Sequence, residues 1–501
     1  MTISTALSSA LSGLLANQRQ ADVGAHNIAN ATTEGYARRE VEVGSVTTGN
    51  LGQGVQVTAI NRQIDLSLVR DSRQEDARLA YATTSADAYA RIAGALGDSD
   101  NPNGLPQLLD RVEEAFRALE TTPESSVRQS DTLRAVQQLT RGFSELSEEF
   151  AKIRSDADAA IEREVNVLND SLQRLSLVNR ELALRAVRGA DTGDLADQRD
   201  RLIDEVARRI PIRVIRGSDE NSLILTTREG VPLLDHNPVT IEFSHRPIVN
   251  TAELYDPAGL AAPGYSNILS GLTVNGRDIA PGSGDIQSID DGLIAGLFRV
   301  RDEIAPDALQ RLESIAFALA GRFQDSAIDA SLGATDAGLF TDAGARVDTA
   351  DPASLVGFSA RIAVNAAVDP AAGGDYARLR DCVAAPVAGY VGDPAQVSRF
   401  IAGLTDPTAF AAATHLTDAA IAAGAREYVQ LAHQSRTLAA RDADAQQVSF
   451  QAISDFRLSH SGVSIDVELQ KLALYERSFA ANGQVIQAAS RMLDELLAIA
   501  I

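Results

Sequence analysis

Apolar residues recur every three or four positions near the start of the chain. This pattern predicts an amphipathic helix over residues 3–28 with one narrow apolar stripe. Gly13 and Gly24 interrupt the helix, and each costs about 1 kcal/mol relative to alanine, so the helix depends on a packing partner. The positions of the stripe are Ile3, Leu7, Leu11, Leu14, Gln18, Ala21, Ala25 and Ile28.

The other end of the chain repeats this pattern. Ser464, with Glu468 shortly after it, indicates a capped helix start, and Gly483 is the one glycine within the following stripe. A stripe this narrow is typical of a seam between two helices, so we expect the first and last helices to pair as a coiled coil. The positions of this second stripe are Leu472, Tyr475, Phe479, Asn482, Ile486, Ala489, Leu493 and Leu496.

The longest predicted helix lies between Pro123 and Pro211, a stretch without proline. Apolar residues keep heptad spacing over 136–153 and again over 168–182, with four-residue steps between the two segments. Such steps are stutters, which locally unwind a left-handed supercoil. A helix of about 60 residues would be roughly 90 Å long.

The periodicity changes after this helix. Short alternating or β-branched runs at 211–215, 222–227 and 239–243, and an Asn275-Gly276 turn between two further runs, predict a small β-rich region. Residues 290–330 are again helical in pattern, and so are the alanine-rich residues 405–450, which we expect to lie against the long helix.

These patterns together predict a mainly α fold with β-rich insertions. Its parts are paired N- and C-terminal helices, a long-helix bundle in the middle and one or two small β domains. The expected domains are a terminal helical domain of 1–60 plus 455–501, a bundle of 61–209 plus 286–335 plus 401–454, a β-rich domain of 210–285, and a second β-rich module or insertion at 336–400.

Charge restricts the class of partner. The 501 residues include 68 acidic and 45 basic ones, a net charge of −23, which argues against nucleic acid and anionic membranes as main partners. No apolar run approaches the ~20 residues that span a bilayer, so we expect no membrane insertion. The first 18 residues hold no Lys or Arg, and we therefore expect no cleaved signal peptide.

Candidate chemistry is sparse. Cys382 is the only cysteine, the six histidines are scattered, and no phosphate-binding loop, nucleophile elbow or zinc-protease motif occurs. We expect no catalytic, cofactor or metal site and no enzymatic activity. Asp22 and His26 fit a solvated polar face better than a metal site. A charged cluster in the region after the long helix fits an exposed helix face better than a carboxylate site: Asp197, Arg199, Asp200, Asp204 and Glu205.

The segment over residues 27–36 is the most informative one. Asn30 is suited to end the first helix, and Gly35 is free to adopt a positive φ in the turn that follows. Residues 38–43 and 54–57 alternate in polarity. The local prediction is a helix, a turn and a β-hairpin.

The same residues resemble a known family. Residues 6–14, His26–Asn30 and Gly35-Tyr36 are similar to the N-terminal signature of bacterial flagellar axial proteins, the rod, hook and hook-associated proteins. Residues 461–466, 472–482 and 492–497 resemble the C-terminal half of that signature. Three internal segments resemble hook-associated members: 54–57 with Arg62 and Asp65, 194–200, and 292–297 with Arg301-Asp302. Thr32 and Ala37 depart from the usual turn, and 336–400 match nothing.

The resemblance implies a structural subunit of the extracellular flagellum, in the layer between hook and filament, exported unfolded by the flagellar type III system. Implied partners are other copies of the chain, the hook protein, hook-associated protein 3 on the filament side, and an export chaperone on the C-terminal helix. The alternatives are another axial protein of hook or rod type, or a secreted binding or enzymatic module in 336–400.

Two sets of residues follow as site predictions. The axial turn motif consists of Asn27, Asn30, Gly35 and Tyr36. The expected subunit-assembly seam consists of Leu7, Leu11, Leu14, Ile28, Leu472, Tyr475, Phe479, Ile486, Leu493 and Leu496.

Overall fold

The computed structural model describes residues 3–33, 35–48, 51–97, 101, 103–188, 190–216 and 223–499. The helices are α1 Ile3–Ala29, α2 Leu66–Leu96, α3 Leu105–Thr121, α4 Ser126–Val187, α5 Gly193–Arg209, α6 Gly292–Arg299, α7 Ala305–Phe323, α8 Phe358–Arg361, α9 Arg378–Asp381, α10 Ala395–Thr405, α11 Ile421–Ser461 and α12 Ile465–Ile499. The strands are β1 Arg39–Thr48, β2 Leu51–Arg62, β3 Ile212–Arg216, β4 Leu223–Thr227, β5 Pro232–Leu234, β6 Ile241–Glu242, β7 Glu253–Leu254, β8 Ser266–Asn267, β9 Thr273–Val274, β10 Arg277–Asp278, β11 Phe340–Asp342 and β12 Ile362–Val364.

The first and last helices pair, as predicted, and they run antiparallel. Gly13 of α1 lies against Asn482 of α12, and Gly24 lies against Leu472. The pairing face of α1 is shifted by one residue from the predicted stripe. It holds small and polar residues in heptad spacing, none of them exposed: Ala6, Ala10, Gly13, Asn17, Gln20, Gly24 and Asn27. Small side chains let the two helix backbones approach closely, so the leucines flank the contact.

A long hairpin, β1–β2, packs on the pair. The Val55 N–H donates to Ser12 Oγ at 3.1 Å, and Gly54, with φ of +109°, leaves no room for a Cβ beside Ser12. The strands are longer than predicted and contain two register shifts, which bend and twist the ribbon. We call α1, β1, β2 and α12 the terminal unit, and the rest of the chain the body.

The body is organised around α4, which is 62 residues long and confirms the predicted long helix. Its first half shares one apolar core with α2, α3, α7, α10 and α11. The prediction that the 405–450 helix lies along the long helix is wrong: α11 begins at Ile421 and packs chiefly along α2. The α2 pattern of small buried residues, such as Ala77, Ala80 and Ala88, gave no strong stripe to reveal this pairing.

The second half of α4 packs with α5, α6 and the β-rich region that follows α5. Two three-stranded antiparallel sheets form there, in the orders β3-β4-β5 and β10-β9-β6, so β3 is an edge strand. The Asn275-Gly276 hairpin is confirmed: both residues have positive φ, 51° and 77°, as a tight two-residue turn requires. The predicted strand 222–227 starts at Leu223, and Ser222 lies outside the described residues.

Residues 336–400 consist of short pieces, including the three-residue strands β11 and β12 and the one-turn helices α8 and α9. Their apolar side chains join the bundle core. Phe323 of α7 packs edge-on against Phe340 at 5.1 Å between ring centroids and stacks on Phe400 at 5.4 Å. None of the described helices is both long and apolar enough to cross a membrane.

Two fully buried arginines join the β-rich region to the helices. Arg154, in the middle of α4, donates to the carbonyl oxygens of Arg301 at 3.0 Å, Asn250 at 2.9 Å and Glu253 at 2.5 Å. Burial lowers the pKa of Arg154 to about 10. Arg301, in a π-helical turn between α6 and α7, pairs with Asp158 at 2.7 Å. The loop that holds Asn250 and Glu253 is thereby tied to α4.

Replacing Arg154 by Met should lower the free energy of unfolding by about 3–5 kcal/mol. The substitution keeps the aliphatic volume but leaves several buried carbonyl groups without donors, at about 1–3 kcal/mol each. Urea unfolding followed by circular dichroism measures the change.

The matched control is Arg134→Met, because the Arg134 side chain on the same helix is 66% exposed. It should change the free energy of unfolding by no more than about 0.5 kcal/mol. Equal stability of the two variants would contradict the conclusion that Arg154 holds the loop with Asn250 and Glu253 to α4.

Candidate functional site

A row of aspartates on α5 faces the terminal unit. Asp194, Asp197, Asp200 and Asp204 are spaced by three, three and four residues, which places them on one side of the helix. Four arginines from other elements meet them: Arg39 of β1, Arg62 of β2, Arg73 of α2 and Arg457 of α11. We call these eight residues the terminal clamp.

The first half of the clamp holds the two strands of the hairpin. Arg62 Nε donates to Asp197 Oδ1 at 2.9 Å, and its terminal nitrogen donates to Asp200 Oδ2 at 2.6 Å. Arg39 donates to Asp197 Oδ2 at 3.2 Å and also contacts Asp194. Each arginine therefore bridges two carboxylates, an arrangement that fixes orientation as well as distance.

The second half of the clamp holds α2 and α11 together. Arg73 Nε donates to Asp204 Oδ1 at 2.5 Å, and Arg457 donates to Asp204 Oδ2 at 3.0 Å. Next to this pair, the Arg38 N–H donates to the Ser461 carbonyl at 2.9 Å, at the end of α11. The connections into and out of the terminal unit thus meet at one place.

The expectation of an exposed charged face on α5 is wrong for Asp197 and Arg199, which are buried, and for Asp200 and Asp204, which are half-buried; Glu205 is exposed as expected. Asp197 is 3% exposed and Arg199 is 6% exposed. Burial raises the pKa of Asp197, with Arg62 and Arg39 acting in the opposite direction. Burial also acts to raise the pKa of Asp200, but Arg62 and Arg73 outweigh it and the net shift is downward. The hydrogen bond from Arg39 lowers the pKa of Asp194.

Asn27 is the polar centre of the terminal unit. Its Nδ2 donates to the Arg39 carbonyl at 2.9 Å and to Glu468 Oε2 of α12 at 3.1 Å. Its Oδ1 accepts from the Arg39 N–H at 3.0 Å and from the Tyr36 hydroxyl at 2.8 Å. With two donor and two acceptor interactions, one 1%-exposed side chain ties α1 to β1, α12 and the turn.

The turn between α1 and β1 is shaped by two other features. Asn30 Nδ2 donates to the His26 carbonyl at 3.0 Å and so ends α1, as predicted. Gly35 has a φ of +74°, and a Cβ there would lie 2.6 Å from the Arg201 side chain, so the position requires glycine. Glu34 lies outside the described residues.

Tyr36 connects the turn to the clamp. Its ring lies 5.1 Å from the Arg39 guanidinium carbon, a cation–π contact. Burial raises the pKa of the Tyr36 hydroxyl to about 12, with Asp197 adding to the rise and Arg39 opposing it. The structure thus brings Asn27 and Tyr36 together, while their role as an axial-family motif stays a prediction.

The predicted assembly seam is divided between the inside and the outside of the helix pair, since Leu472 packs against Gly24 within the pair. Five of its residues are between 40% and 56% exposed: Leu7, Leu11, Phe479, Leu493 and Leu496. The other five are half-buried: Leu14, Ile28, Leu472, Tyr475 and Ile486. Other large apolar side chains of the two helices are also exposed, among them Leu15, Leu474, Val485, Met492 and Leu497. Exposed apolar surface on this scale is typical of a protein–protein contact.

Sequence reasoning missed most of the clamp. The three- and four-residue spacing of the α5 aspartates was a usable signal for one common face, but Arg73 and Arg457 had no local signal, since their partners are more than 120 residues away. Glu468, 3% exposed and bonded to Asn27, was recognised only as part of a helix start.

The remaining candidates stay outside this site. Asp22 and His26 are exposed. No cluster of three or more metal-ligating side chains occurs within the described ranges. The Cys382 thiol donates to Gln396 Oε1 at 3.1 Å, and burial raises its pKa to about 11, which disfavours the nucleophilic thiolate.

Asn27→Asp should loosen α1 and β1 from the body. The new carboxylate loses both donor interactions and faces Glu468, so buried like charges repel. Hydrogen–deuterium exchange should show faster exchange over residues 20–48. Asn61→Asp is the matched control, because Asn61 also bonds a carboxylate, Glu42, but in solvent. Equal exchange in both variants would contradict the role of Asn27.

Alkaline pH should weaken the terminal unit through Tyr36. An unfolded tyrosine loses its proton near pH 10, whereas folded Tyr36 keeps its proton up to about pH 12. The stabilisation is therefore complete below pH 10 and is lost as the pH rises toward 12. Proteolysis of the termini measured across this range checks the effect. Tyr36→Phe should show a smaller pH dependence, and an unchanged profile in that variant would refute the assignment.

Comparison with known proteins gives three family matches. The model of the flagellar hook-associated protein FlgK helical domain matches residues 89–329, that of the flagellar basal body rod FlgEFG protein C-terminal region matches 456–499, and that of the flagella basal body rod protein matches 7–36. The two rod models cover the paired ends, α1 and α12, and the helical-domain model covers most of the body.

Similar curated proteins share one description, flagellar hook-associated protein 1. The Bacillus subtilis protein is 27% identical over 46% of this chain and 48% of its own length. The Salmonella typhimurium protein is 23% identical over 46% and 43%, and the Escherichia coli protein is 22% identical over 42% and 40%. The chain thus spans about half the length of the curated relatives it matches.

A solved structure, that of the flagellar hook junction protein FlgK from Burkholderia pseudomallei, aligns with a TM-score of 0.44 and 12% identity over 54% of this chain and 46% of that one. The family models match both ends and the body, and the model of the body and the curated relatives carry the same family name. Together these matches support the identification of the chain with the flagellar hook-associated protein 1 (FlgK) family.

Proposed function

We propose that the chain is a structural subunit of the bacterial flagellum that forms the junction layer between hook and filament. The observation that carries the proposal is the terminal unit: a helix pair with an apolar outer face, attached to the body through a polar clamp. The matches to rod-type ends and to a FlgK helical domain support the same role.

The exposed apolar side chains of the terminal pair favour self-assembly. In one copy, the close contact between α1 and α12 is made mainly by small residues together with Leu472, and large apolar side chains such as Leu11 and Leu493 are about half exposed. Packing beside another copy removes this surface from water, and apolar burial gains about 25 cal/mol per Å². The seam residues therefore act between copies, and the chain forms a homo-oligomeric ring-like layer.

The clamp supplies the geometry that a layer needs. It fixes the angle between terminal unit and body through arginines that each bridge two carboxylates, which resist rotation more than a single contact does. Such a subunit presents the same two surfaces in every copy. On these surfaces we place the hook protein on one side and the second junction protein, hook-associated protein 3, on the other.

Before assembly, a binding partner is needed to cover the exposed apolar side chains of the terminal pair. We propose that the chain is exported unfolded through the flagellar type III system and that an export chaperone binds α12 along the face that holds Phe479 and Leu493, as a helix in a groove. The net charge of −23 favours solubility of free subunits. The role is structural, and we propose no enzymatic activity.

A hook- or rod-type axial protein is the second candidate, favoured by the two rod-family matches at the ends. The match of residues 89–329 to the FlgK helical domain favours the junction role over it. Deletion of the gene separates the two: a junction subunit leaves intact hooks without filaments and filament subunits in the medium, whereas a hook or rod subunit leaves no complete hook.

Leu11→Asp and Leu493→Asp should abolish incorporation when each variant is returned to the deletion strain. Burying an unpaired carboxylate between copies costs several kcal/mol, which weakens association by about 100-fold or more. Filament assembly by electron microscopy and motility are the measurements, and circular dichroism of the purified variants should match wild type.

Leu177→Asp is the matched control. Leu177 is 62% exposed on α4, so the same charge is introduced on the body instead of the terminal pair. It should support filaments normally. Normal assembly of the two seam variants, or failure of the control, would contradict a seam located on α1 and α12.

A further inference from the structure

A groove lies beside the terminal clamp, between α2, α5 and the edge strand β3. It encloses about 490 Å³, within the size range of ligand pockets. Its floor is apolar and includes Val69 of α2, Ile203 of α5 and Val214 of β3. Neither the clamp nor the seam accounts for this groove.

The charge around the groove is opposite to that of the molecule. Five arginines and two aspartates line it, although the chain has a net charge of −23. Arg73 and Arg228 are paired with aspartates. The Arg70 side chain is 72% exposed and pairs with Asp71 at 2.9 Å, whereas Arg213 is exposed with no ion pair to any described residue. An apolar floor with two exposed arginines at its mouth suits an acidic, apolar segment.

The end of α12 has this composition. It carries Leu493, Leu496 and Leu497, each about half exposed, together with the exposed Asp494 and Glu495. In the single chain the whole stretch from Ser490 to Ala498 is exposed. We call residues 494–499 the end segment.

The end segment does not reach the groove of its own chain. Glu468, near the start of α12, contacts Asn27 close to the clamp, and Leu496 lies 28 residues further along the same helix. At 1.5 Å per residue this is about 40 Å away from the clamp that the groove adjoins. Only the groove of another copy is accessible to it.

We propose that the end segment of one copy, residues 494–499, docks in the groove of a second copy. Leu496 and Leu497 pack on the apolar floor, and Asp494 and Glu495 face Arg70 and Arg213. The inference rests on the proposed self-assembly and names one specific contact within it: head-to-tail linkage of the far end of α12 to the clamp region of a neighbour.

The test measures binding of a fluorescently labelled peptide of residues 487–499 to the full-length chain by anisotropy in dilute solution. Wild type should bind the peptide saturably. Arg213→Glu and Arg70→Glu should each weaken binding about tenfold or more, since a cation at the mouth becomes a like charge. Both residues are exposed, so both variants should fold.

A charge-reversed peptide with Asp494→Arg and Glu495→Arg should recover binding to Arg213→Glu. Arg134→Glu, on an exposed position of α4 outside the groove, should bind the original peptide as wild type does. Absence of peptide binding, equal binding by the groove variants, or equal weakening by Arg134→Glu overturns the proposal. Saturable binding of laurate without peptide binding assigns the groove to a small amphiphile instead. None of these outcomes depends on filament assembly, so failure here is distinguishable from failure of the junction role.

Discussion

The pairing of α5 carboxylates with arginines from four other elements holds the two ends of the chain to the rest of it. Buried ion pairs contribute little net stability, because each charge gives up its hydration. Instead, they fix the relative orientation of the elements that they join. A guanidinium that bridges two aspartates, as Arg62 does with Asp197 and Asp200, leaves these elements little freedom to rotate against each other. The chain has 45 basic residues, and only Lys152 and Lys471 are lysines, so it has many arginines for such contacts.

The terminal helix pair, unlike the clamp, is held mainly by the packing of small side chains. Its inner contact consists mainly of alanine, glycine and amide side chains, as at Gly13 and Asn482, with Leu472 packed against Gly24. Other large side chains of the same helices, such as Leu11 and Leu493, are about half exposed. The pair is therefore specified by shape and by a few hydrogen bonds, and its apolar surface remains for contacts outside the single chain.

Periodicity was sufficient to predict α1, α4, α12 and the Asn275-Gly276 hairpin, since each depends on local spacing or a local turn. It failed where the outcome depended on distant residues. The pairing face of α1 differs from the leucine stripe by one position, because backbone approach, and not side-chain size, decides that contact. The α5 charges were assigned to solvent, because local sequence does not reveal that Arg39, Arg62 and Arg457 converge on them.

The contacts that hold the terminal helices change along their length. Near the clamp, Asn27 and Glu468 join the pair to the hairpin and the body through buried hydrogen bonds. Toward Leu11 and Leu493, small-residue packing and the hydrogen bond from the Val55 N–H to Ser12 are the intramolecular contacts that hold α1. Because helices with so little burial are marginal alone, we expect order to decline with distance from the clamp. In the proposed assembly, a neighbouring copy would therefore bury the most apolar surface at this far end.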